Sequence, residues 1–396
     1  MESSELKLVF ESGELKMIKN IRMKRFLVNN IFPVFSLINK IIPKDDKTIF
    51  FYCANDELND NSEAVFNYLV EHGYNERYKI ICGVGHPKRY KNRITKNVSF
   101  IPKSKCILQY MKSGHVLYCM GKMPIKPTKK QTVIHMWHGV PLKKIGLLTN
   151  ISNGKEFFFT YVCAPSETWR PIMAAAFGCP PKNVCICGEP KADKLLIPKK
   201  ESNEKLVVWA PTFRQSEYLG YNDSKQENLL PLFNQNEWEE LNDYLKARNV
   251  RVIVKLHPMQ DLMGLTSFKL SHFEIYGAET FVKVKGDIFE VMSQSDALIS
   301  DYSGLFLDYL VLDRPICFVL DDYEDYQNTR GFVFDNPLDY MPGHQAYVKD
   351  DLFAFLDDVA GGKDRHSEER KNVNALVNAY SDGKNCERVI KIAGIS

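Results

Sequence analysis

What this 396-residue chain lacks narrows its chemistry first. It has no C-x-x-C pair, and none of its ten cysteines stands with histidine at zinc spacing, so a structural zinc site is not expected. The cysteines are scattered through apolar runs (Cys82, Cys119, Cys163, Cys317), which predicts reduced, mostly buried thiols rather than a disulfide framework. No run reaches the length of a membrane span, and the first twenty residues lack the apolar core of a secretory signal. A net charge of +3 is too small to argue for nucleic acid. No acidic pair with D-x-D spacing ends a strand, so nothing in the pattern demands a metal ion. No cofactor motif, fixed-period repeat or low-complexity tract is present.

What is there alternates. Apolar runs that read as strands (Thr48–Cys53, Tyr78–Val84, Val116–Cys119, Gln131–Trp137, Tyr161–Ala164, Asn183–Cys187) are separated by helical spacing at Glu63–Gly73, Ser104–Ser113 and Ser166–Phe177. A polar crossing, Lys191–Glu204, leads to a second such rhythm. It runs from Lys205–Ala210 through the helix Glu237–Asn249, the strand Arg251–Leu256, Phe281–Val284 and the helix Ile288–Ser293 to Ala297–Ile299 and Ile316–Leu320. Helices Leu352–Val359 and Ser367–Tyr380 follow. The pattern predicts an α/β protein of two Rossmann-like domains with a cleft between them, over residues 48–195 and 196–396. Residues 1–47 form a separate segment in which Lys19, Arg22, Lys24, Arg25, Lys40 and Lys44 flank an apolar stretch broken at Pro33. Such a basic, aromatic, amphipathic segment suits a membrane surface; the alternative is a helix packed on the first domain.

The candidate chemistry collects at strand ends. Ser300-Asp301-Tyr302-Ser303-Gly304 follows a buried strand and opens a short helix, placing a hydroxyl and a residue without Cβ where a phosphate would be held. Trp137-His138-Gly139-Val140-Pro141 sets His138 at a strand's carboxyl end, where an imidazole can take a proton from a hydroxyl. His135, of opposite parity, is expected inside the fold. Leu256-His257-Pro258 closes a strand of the second half, and His257 is suited to donating to a phosphate oxygen. Ala210-Pro211-Thr212-Phe213-Arg214 adds a hydroxyl and a guanidinium, and Gly188-Glu189-Pro190-Lys191 a further cation.

Together with Lys143-Lys144-Ile145-Gly146, Phe306-Leu307-Asp308-Tyr309, Arg314-Pro315 and Arg330-Gly331-Phe332-Val333-Phe334-Asp335, these motifs resemble the CDP-glycerol glycerophosphotransferase family over roughly residues 48–390. That family comprises teichoic-acid primases and polymerases and relatives in capsule synthesis. The resemblance implies a GT-B fold. It also implies transfer of glycerol phosphate, or a related polyol phosphate, from a CDP-linked donor to the hydroxyl of a lipid-linked or polymer acceptor, with release of CMP. A peripheral position on the cytoplasmic face of the cell membrane is implied as well. Carried over by position, His138 is the base; His257, Arg214 and Ser303 hold the donor pyrophosphate with Thr212 and Gly304 beside them; Lys191 adds charge; and Asp308 orders the donor site. Three positions depart from the pattern: Gly304 for a usual second serine, Val140 for threonine, and Glu189-Pro190-Lys191 for Asn-Pro-Arg. They keep CDP-ribitol open beside CDP-glycerol. A GT-B glycosyltransferase using a nucleotide sugar is the alternative enzyme, and a catalytically dead membrane-associated scaffold the alternative outside enzymes.

Overall fold

The computed structural model describes residues 31–149, 158–212, 215–216, 221–222, 229–257 and 267–396. Ten buried or half-buried cysteines are all free thiols. The chain divides into two compact units, the first formed by residues up to 138, 150–191 and 384–396, the second by 139–149 and 192–383.

In the first unit seven parallel strands are ordered β3-β2-β1-β4-β5-β6-β7: β1 Asp45–Tyr52, β2 Lys79–Val84, β3 Val98–Pro102, β4 Ser113–Tyr118, β5 Thr132–His135, β6 Tyr161–Ala164 and β7 Val184–Ile186. Ile49–Phe51 in β1 and Val116–Tyr118 in β4 are fully enclosed, as continuous apolar runs in a parallel sheet covered on both faces must be. The strand order reverses between β1 and β4, the signature of a doubly wound sheet. One helix was not expected from the sequence. Asn385–Ile392 packs beside the helix Asp60–Glu71 and adds Cys386, Val389 and Ile390 to the core of this unit.

The second unit holds β8 Lys205–Trp209, the two-stranded ribbon β9 Gln215–Ser216 and β10 Tyr221–Asn222, β11 Val250–Lys255, β12 Ser267–Lys269, β13 Phe273–Tyr276, β14 Ala297–Ser300, β15 Ile316–Val319 and β16 His344–Ala346. Its main sheet is ordered β12-β13-β11-β8-β14-β15-β16, with only β12 antiparallel to its neighbour. Setting β12 aside, the order repeats that of the first unit, and the reversal falls between β8 and β14. Phe281–Val284 lies within a helix, Ala278–Lys285, capped by Gly277 and Gly286. Two mostly parallel sheets of this order are the GT-B arrangement.

The described part of the N-terminal segment is a helix, Phe32–Ile41, and Pro33 falls in its first turn, where a missing N–H costs nothing. Residues 1–30, and with them the stretch before Pro33, lie outside the described residues. Phe32 and Phe35 are half-buried and pack against the core of the first unit. Ser36 and Asn39 are buried, with Asn39 donating to the Lys126 carbonyl and to Gln131, while Val34, Leu37, Ile38 and Ile41 are exposed along one stripe. Lys44 turns inward, donating to the carbonyls of Asn39, Ile42 and Met111. Among the described residues no helix is long and apolar enough to cross a membrane.

Candidate active site

In the second unit the carboxyl ends of β8 and β14 are adjacent, and loops leaving them are joined by one buried carboxylate. Asp301 accepts the Thr212 backbone N–H at 2.8 Å, the Thr212 hydroxyl, and the Ser303 N–H at 3.2 Å. The strand-order reversal is where doubly wound sheets open a ligand crevice, and Asp301 fixes both of its rims. The Thr212 hydroxyl donates to Asp301 and so shapes the rim. Ser303 accepts from the Leu305 N–H at 3.3 Å and begins the short helix Leu305–Tyr309, on which Asp308 is buried. Arg214 and Pro258 lie outside the described residues.

Gly304 has an ordinary helical conformation, φ −63° and ψ −8°, so it is not there for backbone freedom. A Cβ at this position would stand 2.2 Å from the Val140 carbonyl oxygen. Gly304 and Val140, two of the three departures read from the resemblance, therefore meet each other through the Val140 carbonyl. The segment that brings Val140 there, residues 139–149, is laid along the second unit by Val333 N–H donating to Leu142 at 2.9 Å, Lys144 N–H donating to Gly331 at 3.3 Å, and a Lys143–Phe332 bridge.

The same segment delivers Lys143 into the electrostatic environment of His257. Burial, then Lys143, then Lys255, push the His257 imidazole down to about 4, so it is neutral near pH 7. Lys255 is itself held below the usual lysine range by burial. Two lysines and a neutral imidazole form a basic group suited to an anion. Arg314, by contrast, is structural. Its guanidinium donates to the carbonyls of Ser293 and Ser295 at 2.7 and 2.5 Å, closing the end of the helix Ile288–Gln294.

In the first unit β5 ends at His135, which is fully enclosed. Its ring stacks on Tyr118 at 4.4 Å and meets the edge of Phe177 at 4.8 Å; burial, reinforced by His138, takes its pKa down to about 3. The chain then turns sharply. Trp137 sits at φ +62°, a left-handed conformation rare for a bulky residue, and His138 emerges with an exposed side chain beside the Trp137 ring. Lys191 lies below it, its ammonium 3.2 Å from Asp60 and 3.1 Å from the His138 carbonyl oxygen. Lys191 is thus paired with Asp60 within the first unit.

Sequence reasoning gave no role to Asp301, Lys143, Asn61 or Glu189. Asp301 and Lys143 stood inside quoted motifs; Asn61 carries no sequence signal, and its partners are distant in the chain. Among the described residues no group of three or more His, Cys, Asp or Glu side chains is arranged to hold a metal ion.

Comparison with known proteins bears on what these sites serve. The chain is 24% identical to the teichoic acid ribitol-phosphate polymerase TarL of Staphylococcus aureus, over 94% of this chain and 66% of that protein. It therefore spans about two thirds of TarL's length. It is 26% identical to the teichoic acid poly(glycerol phosphate) polymerase of Bacillus spizizenii, over 81% of this chain and 86% of that protein. The solved structure of the wall teichoic acid polymerase TagF shares its fold at TM-score 0.68 and 20% identity, covering 99% of this chain and 97% of the other. Residues 34–393 match the profile of CDP-Glycerol:Poly(glycerophosphate) glycerophosphotransferase, and the chain belongs to that family of CDP-glycerol-type phosphotransferases.

Proposed function

We propose that this chain moves glycerol phosphate or a related polyol phosphate from a CDP-linked donor to the hydroxyl of a lipid-linked or polymer acceptor, with His138 as general base. The acceptor oxygen forms a bond to the β-phosphorus, the bond from that phosphorus to the bridging oxygen breaks, and CMP leaves. The acceptor proton passes to the His138 imidazole. The observation that carries the donor half is the basic group of His257, Lys143 and Lys255 in the unit whose strand-order reversal is rimmed by Thr212, Asp301 and Ser303. Ser303 holds phosphate oxygens at this rim, and Asp308 orders the short helix behind it; Gly304 admits the Val140 carbonyl, and a role for Arg214 in holding the pyrophosphate rests on the family resemblance alone. A pyrophosphate anion between two lysines raises the His257 pKa again, so the imidazole strengthens as a donor when the substrate arrives. Catalysis rests on positioning and charge stabilisation, and no metal or cofactor is assigned.

The test is CMP release from purified protein given CDP-glycerol or CDP-ribitol, with and without a polyol-phosphate or lipid-linked acceptor. Acceptor-dependent CMP from one donor names the substrate. Silence with both, alongside nucleotide release from a UDP-sugar, replaces this reading with glycosyl transfer.

The acceptor's lipid carrier makes a membrane surface the natural workplace, and the exposed stripe Val34, Leu37, Ile38 and Ile41 beside Lys40 supports a peripheral site on the cytoplasmic face. Leu37→Glu with Ile41→Glu is expected to release the protein from anionic vesicles in a pelleting assay. Pelleting equal to wild type would remove this helix from the account.

A further inference from the structure

We infer that Asn61 is a positioning residue for His138, holding the peptide planes around the proposed base through a buried polar cluster with Asp60, Glu189 and Lys191. The inference rests on His138 being the base. The side chain of His138 is exposed and its ring lies against that of Trp137, 4.0 Å between centroids. Its backbone is held as well. The carbonyl before it, on Trp137, accepts from Asn61 Nδ2 at 3.1 Å, and its own carbonyl accepts from Lys191 Nζ at 3.1 Å. Those carbonyls belong to the peptide planes on either side of His138. With both planes fixed, φ and ψ of His138 are fixed, and with them the direction of its Cβ.

Asn61 is the centre of the arrangement. It is fully buried, its Nδ2 also donates to Glu189 Oε2 at 2.7 Å, and its Oδ1 accepts the Lys191 N–H at 3.0 Å. Asp60 accepts the Asn61 N–H at 2.8 Å and pairs with the Lys191 ammonium at 3.2 Å. The turn carrying Glu189 is secured in its turn by Asn385, which donates to the Glu189 carbonyl at 3.1 Å. Gly188, at φ +76°, admits this, since a Cβ there would lie 2.2 Å from Asn385 Oδ1. Only an amide can serve at position 61, because the site requires donors toward Trp137 and Glu189 and an acceptor toward Lys191. The cluster also explains how Trp137 keeps a left-handed backbone: its carbonyl is tied down by a residue that cannot move without breaking three other contacts.

The experiment compares Asn61→Asp, Lys191→Met and His138→Ala for kcat and KM in the CMP-release assay, donor dissociation constant by calorimetry, and thermal unfolding. Asn61→Asp keeps the shape of the side chain and loses its donors. It is expected to lower kcat by about 10–100-fold, the scale of a sub-ångström to 1 Å misplacement, with the donor constant within about twofold of wild type. Combined with His138→Ala it should add no further loss, because a residue acting only through the base has nothing left to position. Lys191→Met should show the same pattern if Asn61→Asp does not fold. A second readout needs no turnover: in histidine-labelled protein the single His138 ring resonance of wild type should broaden or split in either variant. A folded variant with kcat within twofold of wild type and an unchanged His138 resonance overturns the inference, as does a loss that adds to that of His138→Ala. Full turnover by His138→Ala would instead defeat the base assignment, and an unaltered resonance in both variants would defeat the positioning role on its own.

Discussion

Replacing Gly304 by alanine tests the join between the segment that follows His138 and the donor loop with a single methyl group. The backbone conformation at Gly304 suits any residue, so alanine carries no conformational penalty and stabilises the folded state by about 0.4–1 kcal/mol through the unfolded chain. The methyl group, however, would stand 2.2 Å from the Val140 carbonyl oxygen. A carbon–oxygen contact needs about 3.3 Å, so the two segments must part by roughly 1 Å. Overpacking of that order costs about 1–3 kcal/mol, leaving a net loss of about 0–2.6 kcal/mol, with a central value of about 1.3 kcal/mol, after the gain above. For a unit of this size that lowers the melting temperature by about 2–8 °C. Turnover should suffer far more. Val140 is two residues beyond His138, and a displacement of about 1 Å in a reacting geometry can cost 100-fold in rate. Steady-state CMP release beside a thermal melt separates the two effects: a large fall in kcat with a small fall in melting temperature is expected. Gly304→Ser meets the same oxygen and should fare no better. A Gly304→Ala protein turning over within twofold of wild type would refute the claim that this contact sets the approach of the loop.

Three further outcomes follow from the geometry. His138→Ala should lower CMP release by about 10²–10⁴-fold, leaving a measurable residual rate, while a calorimetric titration still detects the donor, and normal turnover would refute the base. Thr212→Val removes one of the hydrogen bonds to buried Asp301 and should cost about 1–3 kcal/mol in a denaturant titration; an unchanged midpoint would mean Asp301 is satisfied without it. His135 is held neutral by burial, with its pKa down at about 3. The unfolded chain therefore binds the proton first as pH falls, so this group's contribution to stability is complete above about 6.5 and drains away toward 3, with a slope up to about 1.4 kcal/mol per pH unit. His135→Phe should flatten the acid limb of the stability curve between pH 6 and 4, and an identical limb would assign the acid sensitivity elsewhere.

The parallel strands were legible because a strand buried on both faces writes itself as an unbroken apolar run; Tyr161–Ala164 is found where such a run stands. Strands that dilute the run were not seen. Val98–Pro102 ends in proline, and Phe273–Tyr276 carries Glu274, buried against Lys285 and Arg251. The candidate residues named from the sequence stand where loops leave strand ends with histidine, serine or threonine. What those side chains do once folded was not legible. Thr212 and Lys191 have the chemistry of phosphate ligands, yet each meets a carboxylate, Asp301 and Asp60, that the chain supplies from far away. Asn61 reaches partners 76, 128 and 130 positions along the sequence, and no local pattern reports such contacts.

The helix Asn385–Ile392 has a consequence for how the protein is made. It supplies Cys386, Val389 and Ile390, with Ala393 and Ile395 beyond it, to the core built around β1 and β2. During synthesis the first unit's seven strands emerge early, but the apolar surface meant for this helix stays uncovered until residue 395 has left the ribosome. The unit that begins first is completed last, and the second unit, whose segments all lie before residue 384, can close ahead of it. Loss of residues 384–396 would therefore injure the first unit, stripping Cys386, Val389, Ile390, Ala393 and Ile395 from its core and uncovering the helix Asp60–Glu71 that they pack beside.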